Sequence, residues 1–157
     1  MTKLKQGDIF EISSNGKKYY FQYIVNDKNC LSGNVIRCFN YSSDEKIPTD
    51  INILKDLQTF FYIQTLISWG IKLKLWKKIG NIPLPSDFKI PFFRGTDDVY
   101  IEVKKSYKWY IWQPNGAKQF IGELKNEYKS FPIAGVMGPL VLVKMIEAGH
   151  DYSLHPD

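Results

Sequence analysis

Between Leu75 and Gly95 the sequence reads LWKKIGNIPLPSDFKIPFFRG, and no regular helix can run through it. Pro83, Pro85 and Pro91 each lack a backbone N–H and push the preceding residue toward extended geometry. The segment therefore reads as a strand to about Ile79 and then as a pinned, extended loop. Phe88, Phe92 and Phe93 are too apolar to stand in water, so they are expected to clamp the loop across the body of the domain. Arg94 is left at the edge of that apolar patch as a donor to an acid or a backbone carbonyl. Two readings stay open: a structural belt covering one end of a sheet, or a recognition surface, since Trp76, Phe92, Phe93 and Arg94 are of types enriched at interface hot spots.

Upstream of this loop the pattern is that of strands. Gly7-Asp8 introduces the short apolar run Ile9 to Ile12, which ends at Asn15-Gly16, a strong hairpin signal. Tyr19 to Val25 is the return strand, rich in aromatic and β-branched residues on both faces and so expected to be covered on both. A third strand fits Val35 to Phe39 after an Asn26-Asp27 turn, and such a meander suggests a curved sheet or half-barrel. Thr49 or Asp50 is positioned to cap a short helix through Leu57, with Ile51, Leu54 and Leu57 on one face. Phe60 to Ile67 and Ile71 to Ile79 read as two further strands. On the second, Lys72, Lys74, Lys77 and Lys78 point outward, either as a solvated face that discourages edge pairing or as a phosphate-binding stripe.

Downstream, Val99 to Val103 and Tyr107 to Trp112 alternate as strands, the latter with Tyr107, Trp109 and Ile111 on one face and Lys108, Tyr110 and Trp112 on the other. At least one large aromatic face must then be semi-exposed or covered by the proline loop. Ala117 to Ile121 follows the Pro114-Asn115-Gly116 turn as a hairpin partner, and Glu123 to Tyr128 forms a helical turn or two. Gly138-Pro139 opens a terminal helix that runs to Ala148 and stops at Gly149. The fold expected is α+β: a single domain over residues 1–149, dominated by a curved, mainly antiparallel sheet or partial barrel, with short helices near residue 50 and at the C-terminus, then a flexible tail over 150–157.

The content of 44% hydrophobic residues in 157 is enough for one real core. No apolar run approaches the roughly 20 residues that span a bilayer, and the opening residues MTKLKQGD carry no apolar signal region, so a cytoplasmic protein with no membrane partner is expected. Cys30 and Cys38 lie eight apart in a strand-turn-strand region where a bridge is conceivable, but in such a compartment two free, partly buried thiols are expected. The histidines, His150 and His155, both sit in the tail, which is a poor start for a metal site or a general base. Asp97-Asp98 reads as a solvated turn, and the glycines form no phosphate loop. No catalytic residues, metal or cofactor are assigned, and a hydrolase is the least favoured class.

The opening Gly7-Asp8-Ile9-Phe10-Glu11-Ile12, followed by Trp76-Lys77-Lys78-Ile79-Gly80-Asn81, Pro83 and Pro91-Phe92-Phe93-Arg94, resembles the immunity protein 26 family of bacterial polymorphic toxin systems. The motifs fall in the same order, and the resemblance covers about the first hundred residues. It implies a small α+β cytoplasmic protein that binds and neutralises a cognate toxin domain. It implies no catalytic residues, and Gly7, Asp8, Phe10, Trp76, Gly80, Pro83, Phe92 and Phe93 match it as motif or scaffold positions. The unmatched stretch from Tyr100 to Trp112 is where toxin specificity is expected, with Trp109, Trp112 and Tyr110 contacting the partner alongside Arg94 and Trp69.

Charge constrains the mode of binding. With 21 basic against 16 acidic residues the chain carries a net +5, which argues against an inhibitor that imitates a nuclease's phosphate substrate. Either the partner presents an acidic surface, or this chain binds away from a basic active site through its aromatic patch. The alternative class is a nucleic-acid-binding module, with the lysines as an electrostatic groove and whichever of Trp69, Trp109, Tyr110 and Trp112 are exposed as stacking platforms.

Overall fold

The Asn15-Gly16 pair turns the chain with φ of 51° and 75°, the double left-handed geometry of a type I′ turn, and joins β1 (Asp8–Ser14) to β2 (Lys17–Asp27). The structure is a computed structural model and describes residues 3–99, 102–149 and 156. The meander continues into β3 (Gly33–Asp44) and β4 (Thr59–Thr65), all antiparallel, while β5 (Trp76–Asn81) returns to pair with β1. The two-residue strand β9 (Val136–Met137) adds in parallel beside β4. The resulting sheet has the order β5-β1-β2-β3-β4-β9 and stays open. A second, three-stranded sheet is built by β6 (Phe93–Thr96), β7 (Trp109–Trp112) and β8 (Gln119–Gly122), with β7 in the middle. The fold is α+β, a large mixed sheet with a small one and short helices.

Both faces of the large sheet are covered, as the two-sided apolar content of Tyr19 to Val25 requires. On one face Phe10, Phe21, Ile36 and Ile63 pack against Ile67 of α1 (Ile67–Lys72) and Leu142, Met145 and Ile146 of α2 (Pro139–Ala148). Phe21 lies 5.1 Å from Phe10, stacked, and 5.2 Å from Trp76, edge-on. Each such buried ring contributes about 2 kcal/mol, well above an exposed ion pair at about 0.5 kcal/mol. The aromatic interior therefore outweighs the lysine-rich surface as the source of stability. On the other face Leu54 packs with Ile9, Tyr20 and Phe39, and Ile24 and Val35 pack with Phe93 and Trp112.

The helix expected near residue 50 is a 3-10 turn over Ile51–Asp56, capped by the Asp50 carboxylate, which accepts the Asn52 N–H at 3.0 Å. The proline loop behaves as the belt: Leu84, Phe88 and Ile90 close over the Ile24–Val35 cluster. Phe88 also caps Arg37, whose guanidinium sits 5.0 Å from the Phe39 ring and 5.3 Å from the Phe88 ring while its Nε donates to Gln22 Oε1 at 2.6 Å.

Two expected strands are corrected. Ile71 to Ile79 is not one strand; its first part belongs to α1 and a turn, and only β5 is extended. Tertiary packing decides this: the Trp76 indole folds back beneath α1 and donates to Ile67 O at 3.0 Å. A Cβ on Gly70 would lie 1.9 Å from Trp76 Cζ2, so the helix passes over the ring only with glycine there. The Val99 to Val103 strand does not form at its described positions Val99, Glu102 and Val103, while 100 and 101 lie outside the described residues. The tail residues 150–155 and 157, with both histidines, also lie outside them. Cys30 and Cys38 are free thiols, and burial raises the pKa of both. Among the described residues no helix is long and apolar enough to cross a membrane.

Candidate partner interface

The segments that carry the family resemblance are neighbours in space. β1 and β5 pair so that Asp8 faces Asn81 and Ile9 faces Gly80. Gly7 holds φ 91°, and a Cβ there would sit 2.4 Å from Ile82 O, which explains a glycine where the two segments close on each other. Asp8 is fully buried and accepts from Lys78 Nζ at 2.8 Å, Asn81 Nδ2 at 2.9 Å and the Lys5 N–H at 2.9 Å. Burial alone would raise its pKa; the bonds from Lys78, Asn81 and Lys5 outweigh that and hold the carboxyl below its ordinary value of 3.8. Phe10 and Trp76 lie in the core, Gly80 is half-buried, Phe93 is buried, and Pro83 is exposed. Phe92 is exposed and stacks on Phe131 at 5.6 Å.

The aromatic face expected around Trp109 and Trp112 is interior. Trp109 is 0% and Trp112 4% exposed, so neither offers a ring to a partner or a base. Trp112 is built into the scaffold through a residue the sequence reading passed over as a turn, Asp27. This buried carboxylate accepts from Trp112 Nε1 at 2.8 Å and Gln64 Nε2 at 3.4 Å through one oxygen. The other oxygen takes the Asn29 and Asn115 N–H groups at 3.0 and 3.2 Å. It thereby ties β2, β4 and the β7–β8 turn together. Trp109 lies under Arg94, whose Cζ is 5.2 Å from the ring, and Arg94 Nε donates to Phe131 O at 3.0 Å. The carbonyl role foreseen for Arg94 is thus present, inside the small sheet's packing. Tyr110 is half-buried and meets the exposed Phe120 edge-on at 5.2 Å.

Trp69 stands apart, 57% exposed on α1. Beside α1 opens a groove of about 650 Å³ along β1 and β5, with Phe10 and Trp76 at its base. Its wall is the turn after α1, where the Lys74 N–H reaches Ile71 O at 3.0 Å and the Leu75 N–H reaches Gly70 O at 2.9 Å. This pair of bonds is a Schellman motif, and Lys74 occupies its left-handed position with φ 58°. The lysines read as one strand face are therefore distributed: Lys72 ends the helix, Lys74 sits in the turn, and Lys77 and Lys78 face Glu11 and Asp8 at 3.6 and 2.8 Å. The alternating K-L-K-L pattern concealed this groove, since nothing in it signals a helix stop.

No curated protein and no solved structure matches the chain. The family model for immunity protein 26 matches residues 5–104, from the approach to β1 through β6 and past the proline belt. With β1 and β5, the paired bearers of its motifs, inside a match that spans well over half of the sequence, the chain belongs to the immunity protein 26 family.

Proposed function

We propose that this chain is a toxin-neutralising immunity protein, which binds a cognate bacterial polymorphic toxin domain in the cytoplasm and blocks its activity without itself catalysing a reaction. Membership of the immunity protein 26 family carries this reading. The surface is compatible with a protein partner: Trp69 on α1, Leu73 just after it, and Leu140 and Val141 on α2 are exposed. The competing nucleic-acid reading loses two of its four candidate stacking platforms with the burial of Trp109 and Trp112, and keeps Trp69 and the half-buried Tyr110.

The test is co-expression with the toxin domain encoded beside its gene, followed by co-purification at low and high salt. The expected result is restored growth and a stoichiometric complex. Recovery of nucleic acid in place of the toxin domain, lost as salt rises, would replace this function with the binding-module reading.

A further inference from the structure

The groove beside α1 combines accessible apolar surface from Ile71 and Leu75 with a rim of Lys3, Lys74, Lys77 and Lys78. Its two acids are already committed. Asp8 is engaged by Lys78, and Glu11 accepts from Thr49 Oγ1 at 2.5 Å with Lys77 and Lys18 at 3.6 and 4.0 Å. Lys3 and Lys74 form no ion pair among the described residues, so the mouth of the groove presents uncompensated positive charge. Lys74 holds its place against backbone preference, because a Schellman left-handed position favours glycine. β5 is also the end strand of the sheet order, the position at which an extended chain adds to a sheet.

We propose that this groove is the docking surface for an acidic segment of the partner toxin, which sets carboxylates against Lys3 and Lys74 and an apolar side chain between Ile71 and Leu75. The inference rests on the immunity reading and gives it a location. A protein segment suits the groove better than a nucleic acid, since a phosphate backbone brings nothing to fill the apolar floor and Trp76, at 4% exposure, offers no stacking face. The net charge of +5 favours the same acidic partner.

The test uses the catalytically inactivated toxin domain and calorimetric titration with the full chain. Lys3→Glu with Lys74→Glu is expected to weaken binding by about tenfold or more, most strongly at low salt. Lys74→Gly separates binding from folding: it removes the charge and relieves the backbone, so affinity falls while the melting temperature holds or rises. A complex whose affinity neither variant changes overturns the groove and leaves the immunity function standing. Absence of any complex with the unmodified chain overturns the immunity reading and the groove with it. Nucleic acid retained by the unmodified chain and lost in the double variant overturns the assignment of a protein partner.

Discussion

Asp27 shows how one side chain can decide whether the two sheets hold together. Its carboxylate accepts four N–H groups drawn from Trp112, Gln64, Asn29 and Asn115, and the residue is fully buried. Asp27→Asn replaces one accepting oxygen with an amide that can only donate, leaving buried donors facing a donor. Such groups cost about 1 to 3 kcal/mol each, so the variant is expected to lose about 2 to 4 kcal/mol in a denaturant melt. A loss below about 0.5 kcal/mol would show that the hub is dispensable. Nothing in Asn26-Asp27-Lys28 distinguishes this aspartate from a solvated turn, because its partners lie as far along the chain as Trp112. Lys74 escaped notice for a related reason: left-handed helix stops are read from glycine or asparagine, and here a lysine takes the position.

Among the elements, those whose signals are local were legible. The β1–β2 hairpin follows from Asn15-Gly16, the terminal helix from Pro139 and Gly149, and the 3-10 turn from its Asp50 cap. The α1 helix was not, since Ile71 to Ile79 alternates like a strand and only the return of Trp76 beneath Gly70 enforces the helical turn. Gly70→Ala sets two effects against each other. Helix propensity favours alanine by about 1 kcal/mol, while forcing a methyl to 1.9 Å from a buried indole is overpacking, costing about 1 to 3 kcal/mol. The clash is expected to win, giving a net destabilisation of up to about 2 kcal/mol by thermal or denaturant unfolding. A stabilised variant would mean that the indole can move aside. Long-range closure was equally invisible at Trp109 and Trp112, whose rings are buried although Tyr107 and Tyr110 on the same two faces keep exposure.

At the scale of the molecule, the large sheet is sealed on one face by helices and on the other by the proline belt and the small sheet. What remains for recognition is the perimeter, and there the α1 turn, β1 and β5, with Lys3 ahead of β1, bring together an apolar floor, two lysines without an ion pair among the described residues, and an end strand. The α1 turn, β1 and β5 lie within the stretch matched by the family model, whereas Lys3 precedes it and α2, which packs on the same core face, lies beyond it. The most direct test of the account is hydrogen–deuterium exchange on the chain alone and in complex with the inactivated toxin domain. The account predicts new protection concentrated in the first turns of the chain up to Ser13 and in α1, its turn and β5. Protection confined to β6, β7 and β8, with the groove exchanging as in the free chain, would contradict it.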